Sequence, residues 1–203
     1  MRYSQVVKRE QPFFNMQMQN GIHEILESNS IIPVITFHDT SEVESTVQAL
    51  VEKDIHCIEI TLRTEVAFDC IKLCKQIAPS NFQVGVGTIM HSSQIQRCRQ
   101  LDVDFLVSPG SSEKLVSYLF ISGIPFLPGV MTPSEIIKMQ FNDCHYLKLF
   151  PFNIAGGEKA LKSYGKVFPE IKFCPTGGIN KDNYQQILGY ENVMSVGGSW
   201  VLG

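Results

Sequence analysis

Eight short apolar strands alternate with amphipathic helices along the chain, and a glycine or proline follows most of the strands. Together these predict an α/β fold, a (β/α)8 TIM barrel with a leading N-terminal helix. Apolar strands separated by helices imply an all-parallel sheet covered by helices, and eight units favour closure over an open sheet. The turn residues are Ser108-Pro109-Gly110, Pro128-Gly129, Pro151, Pro175-Thr176-Gly177-Gly178 and Gly197-Gly198.

A polar arm over residues 1–15 precedes a single barrel domain over 16–203, opened by a helix from Met16 to Ser28. Ile31–Phe37 is a β-branched run and reads as a buried strand. Ser41 is the N-cap of the next helix, with Glu44 completing a capping box. Val43, Val47, Leu50 and Val51 then recur at helical spacing. His56–Thr61 is the second strand, and Thr64–Ile77 the next helix, with Val66, Cys70, Ile71 and Cys74 on its apolar stripe. Further strands fall at Phe82–Val86, Phe105–Val107, Ile124–Leu127, Tyr146–Phe150, Ile171–Cys174 and Val193–Val196. The helices between them cover Ser92–Leu101, Ser111–Ile121, Pro133–Phe141, Gly157–Tyr164 and Lys181–Leu188.

Composition supports one folded domain. Of 203 residues, 44% are hydrophobic and 18% charged, which excludes disorder, and a chain of this size buries roughly 70% of its unfolded surface. A net charge of −3 supplies no positive field for nucleic acid or an anionic membrane. Cys57, Cys70, Cys74, Cys98, Cys144 and Cys174 form no C-x-x-C pair and lie mostly in apolar runs, as reduced core thiols of a cytoplasmic protein do. Met1 to Asn15 is polar, with no secretory h-region, and no apolar stretch approaches the ~20 residues that span a bilayer. His23, His38, His56, His91 and His145 show no ligand spacing, so no metal site is expected. Nucleophile-elbow, Walker and dinucleotide fingerprints find no support either.

Barrels of this kind carry their chemistry at the C-terminal ends of the strands. Lys148 stands there between Leu147 and Leu149. Lysine is rarely buried unless paired, and desolvation disfavours the ammonium; a neutral amine in a dry pocket attacks ketones to form a Schiff base. The alternative is a lysine whose head snorkels to water at the barrel mouth. Glu59, Thr61 and Arg63 share one parity of the second strand. Glu59 is a proton shuttle or half of a structural pair with arginine. Arg63 presents a planar fork suited to a substrate carboxylate, or caps a helix. Gly85-Val86-Gly87-Thr88 lets a ligand approach backbone and offers the Thr88 hydroxyl, though glycine also serves tight turns. The glycine pairs of Thr176-Gly177-Gly178 and Gly197-Gly198-Ser199 end the last two strands, where phosphate sites are built from bare N–H groups; plain turns are the other reading.

In this order the motifs resemble those of the 2-keto-3-deoxy-6-phosphogluconate (KDPG) / 4-hydroxy-2-oxoglutarate (KHG) aldolases. They are Ile58-Glu59-Ile60-Thr61-Leu62-Arg63-Thr64, Val84-Gly85-Val86-Gly87-Thr88, Ser108-Pro109-Gly110, Leu127-Pro128-Gly129, Leu147-Lys148-Leu149-Phe150-Pro151, Phe173-Cys174-Pro175-Thr176-Gly177-Gly178-Ile179 and Gly197-Gly198-Ser199-Trp200. The likeness runs from about Pro33 to Trp200. It implies a class I aldolase with no metal and no cofactor, usually trimeric, acting on a phosphorylated 2-keto acid. It places the Schiff-base lysine on Lys148 and the base on Glu59. Arg63 and Thr88 would hold the carboxylate, Pro109 and Phe150 would wall the pocket, and Gly177, Gly178, Gly198 and Ser199 would cradle the phosphate. The implied reaction cleaves KDPG to pyruvate and glyceraldehyde 3-phosphate, or KHG to pyruvate and glyoxylate. A phosphate-binding isomerase or epimerase, or a non-catalytic barrel that binds phosphorylated metabolites, are the rival readings. Members of that family continue past Gly-Gly-Ser-Trp into a last helix, and this sequence stops at Val201-Leu202-Gly203, so the expected barrel has its final C-terminal helix absent.

Overall fold

The computed structural model describes residues 18–202. The polar arm and the expected helix start at Met16 lie outside these residues. The described part of the first helix, α1, covers residues 18–28. It is followed by β1 (Ile31–Ile35), α2 (Glu42–Val51), β2 (Cys57–Thr61), α3 (Ala67–Ile77), β3 (Gln83–Gly87), α4 (Ser92–Gln100) and β4 (Phe105–Val107). Then come α5 (Glu113–Ser122), β5 (Phe126–Leu127), β6 (Gly129–Val130), α6 (Pro133–Gln140), β7 (Tyr146–Leu149) and α7 (Gly157–Val167). β8 (Lys172–Pro175), α8 (Tyr184–Leu188) and β9 (Val196–Gly198) complete the alternation, and a 3-10 turn covers Trp200–Leu202.

The strands form a curled, wholly parallel α/β arrangement. One sheet has the order β5-β4-β3-β2-β1-β9, and a second has β6-β7-β8. The fifth strand expected from the sequence is split at Pro128, whose ring leaves no N–H for the ladder. Its carbonyl still accepts from Lys148 N–H at 2.9 Å, so the chain leaves one sheet there and enters the other. At the far margins, isolated parallel bridges join Phe173 to Val193 and Thr176 to Gly197.

Strand parity sorts the core into two groups. Ile58, Ile60, Val84 and Val86 pack with Val43, Val47, Ile71 and Cys74 of the helices. The opposite strand face gathers Ile32, Cys57, Phe105, Val107, Leu127 and Cys174 with Ile22, Ile25 and Leu26 of α1. Helix α1 is tied to strand beginnings: Gln19 Oε1 accepts from His145 N–H at 2.8 Å, and Asn29 donates to Gln83 Oε1 at 2.6 Å. It therefore covers the N-terminal edge of the strands, and the C-terminal edge is left to the loops.

Several local expectations need correction. Ser41 makes no capping hydrogen bond and has helical dihedrals, φ −63° and ψ −18°. Its N–H donates to Asp39 Oδ1 at 2.8 Å, a local turn that removes the extended geometry a cap needs. A full capping box forms instead at Thr132 and Glu135, with Pro133 opening α6. Partial burial pushes the Glu135 carboxyl up, but the N–H groups of Met131 and Thr132 outweigh it and leave it below its ordinary value. The helix expected from Lys181 starts at Tyr184, because Asn180 Oδ1 accepts from both Asp182 and Asn183 N–H and holds a turn. The last strand is Val196–Gly198 rather than Val193–Val196. Gly197 and Gly198 pair with Ile32 and Pro33, so this glycine pair lies in the strand rather than after it.

All six cysteines are buried free thiols, as expected of core residues. Burial pushes the thiols of Cys74, Cys98 and Cys144 up to about 12 and that of Cys174 up to about 11, and Cys57 is raised further. Thiolate is the reacting form. Iodoacetamide at pH 8 is expected to leave the folded protein unmodified and to alkylate all six residues in denaturant, as read by intact mass. Rapid labelling of Cys57 or Cys174 in the folded protein would contradict this burial.

Candidate active site

β2 and β7 carry a lysine and a glutamate on the strand face opposite Ile58 and Ile60. Both side chains are almost fully enclosed, with Lys148 5% and Glu59 3% exposed. Lys148 Nζ donates to Glu59 Oε1 at 3.0 Å and to Oε2 at 3.2 Å. The expectation that Lys148 is buried and paired therefore holds, and the outward snorkelling alternative does not. The partner of Glu59 is the lysine, not Arg63. The Phe150 ring lies 5.4 Å from the amine and walls one side. Cys174 is the register partner of Lys148 on β8 and is likewise buried.

The remaining predicted residues stand at the C-terminal ends of neighbouring strands. Arg63 is exposed in the loop after β2 and makes no ion pair among the described residues, so its charge is available to an incoming anion. Thr88 directly follows β3, half-buried, with φ 63°. A β-branched residue in the left-handed region costs about 1–3 kcal/mol, and such strain clusters at functional positions. Its consequence here is that the chain turns toward β4, where Ile89 N–H donates to the Val107 carbonyl at 3.1 Å. Pro109 is half-buried after β4. Its carbonyl lies against Gly129, whose lack of a Cβ permits the approach. Among the described residues neither Arg63 nor Thr88 forms a hydrogen bond or ion pair with Lys148 or Glu59; they stand at the ends of the paired strands β2 and β3.

At the ends of β8 and β9, Gly177 and Gly178 have φ 94° and 84°, a conformation that favours glycine. Among the described residues the amide N–H groups of Gly178 and Ser199 donate no hydrogen bond to backbone, whereas Gly177 N–H faces Gly197 at the Thr176–Gly197 bridge. Gly178 and Ser199 are exposed. Gly198 differs, for the Trp200 ring packs over its Cα where a side chain would otherwise stand. The loop after β7 reaches this corner, since Asn153 N–H donates to the Gly177 carbonyl at 3.1 Å.

Two features were missed by sequence reasoning. The Thr36 and Thr61 hydroxyls bond each other at 2.7 Å across β1 and β2. The glycines of β3 are also occupied by protein: the Phe105 ring fills the space over Gly85, and the Glu59 carboxylate that over Gly87. A Gly-x-Gly in a strand was the available signal, but it does not say what the glycines admit.

Parallel strands alternating with helices, with an enclosed amine–carboxylate pair and unpaired N–H groups near the strand ends, define an α/β protein whose polar groups gather at one edge of its sheets. The chain matches the family described as KDPG and KHG aldolase over residues 22–203. It is 35% identical to a 2-dehydro-3-deoxy-phosphogluconate aldolase of Pseudomonas aeruginosa over 85% of this chain and 78% of that protein. It is 34% identical to the KHG/KDPG aldolase of Escherichia coli K12, covering 91% and 86% of the two chains. The solved KDPG aldolase of Legionella pneumophila, with pyruvate captured as a covalent carbinolamine intermediate, superposes with a TM-score of 0.84 at 36% identity, covering 87% of this chain and 85% of that one. The chain belongs to the KDPG and KHG aldolase family.

Proposed function

We propose that this protein is a class I aldolase, an aldehyde-lyase that cleaves KDPG to pyruvate and glyceraldehyde 3-phosphate and also accepts KHG, giving pyruvate and glyoxylate. The observation that carries the reading is the enclosed contact of Lys148 Nζ with both oxygens of Glu59. An amine held dry beside a carboxylate can pass its proton to that carboxylate and attack a carbonyl carbon. The named activities of the relatives point the same way. We read the scaffold as a closed eight-stranded barrel, with Pro128 and the Thr176–Gly197 bridge as its two joins. The protein acts as a cytoplasmic homotrimer on this reading.

Lys148, its proton passed to Glu59, adds to the C2 ketone of the 2-keto acid; Glu59 returns that proton to the carbinolamine hydroxyl, which leaves as water and gives a protonated imine. Glu59 takes the C4 hydroxyl proton; the C3–C4 bond breaks, its electron pair passes to the imine, and the aldehyde leaves. The resulting enamine regains a proton at C3 from Glu59, and hydrolysis releases pyruvate and the amine. Arg63 and Thr88 hold the substrate carboxylate and fix the imine plane. The backbone at Gly177 and Gly178, with the free N–H groups of Gly178 and Ser199, receives the phosphate. Pro109 and Phe150 wall the substrate, and Gly198 leaves room for the Trp200 ring at the phosphate end.

Borohydride reduction in the presence of pyruvate is expected to leave one covalent adduct, on Lys148, by peptide mass spectrometry. Full cleavage activity with unmodified Lys148 would overturn the mechanism. A dephosphorylated KDPG is expected to lose at least about 10²-fold in kcat/KM, since several charge-assisted hydrogen bonds disappear. Equal values for the two substrates would remove the phosphate role.

A further inference from the structure

Gly87 has no backbone reason to be glycine: it is a β3 strand residue, paired with Thr61, and its φ is not in the left-handed region. Nor is it left open for a ligand, because the space over its Cα is filled by Glu59. A Cβ there would overlap Glu59 Oε1 and stand 2.7 Å from Cδ and 2.8 Å from Cγ. Those contacts involve the body of the side chain as well as its tip. The tip is also not free to swing away, since the same Oε1 accepts from Lys148 Nζ at 3.0 Å. Glycine inside a strand weakens it, so its presence here runs against local propensity.

We infer that Gly87 is a positioning residue: its bare Cα is the berth that holds the Glu59 carboxylate against the Lys148 amine, and any side chain there displaces the acid from the proton it must carry. The inference rests on the proposed aldolase chemistry. Displacement by about 1 Å is the scale at which catalytic geometry loses roughly 10²-fold in rate.

The test is a double-mutant cycle of Gly87→Ala with Glu59→Asp, whose side chain is one methylene shorter. Gly87→Ala is expected to lower kcat for KDPG cleavage about 10²-fold, with KM little changed. Exchange of pyruvate C3 protons for deuterium falls in parallel. Glu59→Asp alone lowers kcat, yet added to Gly87→Ala it raises kcat at least about tenfold and raises Tm, because the shorter acid clears the methyl group. Gly85→Ala, which strikes the Phe105 ring instead, is expected to lose stability without any rescue by Glu59→Asp. Wild-type kcat in Gly87→Ala overturns the inference. So does a double variant no more active and no more thermostable or soluble than Gly87→Ala alone. Failure of the wild-type protein to cleave KDPG or to trap pyruvate on Lys148 would count against the aldolase reading instead, and the Tm cycle would still report the steric coupling.

Discussion

Lys148→Met is expected to lose KDPG cleavage by roughly 10⁴-fold or more, the scale on which removal of a nucleophile acts. The borohydride-trapped pyruvate adduct disappears with it. The variant has a second, measurable defect. Lys148 and Glu59 are both enclosed, and removing one member of a buried ion pair strands the other, at a cost of about 3–5 kcal/mol. Tm is therefore expected to fall. Adding Glu59→Gln to Lys148→Met recovers part of that stability, since no charge is then left without a partner, but recovers no activity. A Lys148→Met protein that keeps more than about a hundredth of wild-type kcat would show that the amine is not the nucleophile.

Glu59→Gln separates bond formation at the amine from proton transfer. The isosteric amide keeps an oxygen for Lys148 to bond but cannot carry a proton. Pyruvate trapping on Lys148 is expected to persist at a lower rate, because water must then take the ammonium proton that the carboxylate takes in the wild type. Cleavage, and exchange of the pyruvate C3 protons for deuterium, are expected to drop by about 10²–10⁴-fold, the usual contribution of a positioned acid–base group. Exchange at the wild-type rate would assign the shuttle to another residue. Loss of trapping together with exchange would mean that Glu59 is needed for the amine to react at all.

Much of this site was legible because charge in an apolar strand is conspicuous. Lys148 between two leucines and Glu59 between two isoleucines each demanded a partner, and each is the other's. Which partner was not legible: the residues are 89 positions apart, and Arg63, with the right parity and closer in sequence, faces solvent. The glycines of β3 were visible as a pattern, but their occupants come from the adjacent strands, where only tertiary structure assigns them. Caps show the same limit at short range. Ser41–Glu44 and Thr132–Glu135 have equivalent spacing, yet Asp39 diverts the first into a turn and only the second forms a box. The split of the fifth strand had a signal in Pro128, but a proline after a strand also ends one, and only the register of Gly129 with Lys148 shows that pairing resumes.

The acid and the amine belong to different sheets. β2 lies within the six-stranded sheet and β7 at the centre of the three-stranded one, so no shared ladder fixes the gap between their side chains. That gap is set by how the two sheets seat against each other, at Pro128 on one seam and at the bridges of β8 on the other. The charged contact works as a clasp between the two sheets. Once a substrate carbonyl engages the amine, the clasp is released, and only those two seams keep the reacting partners in range.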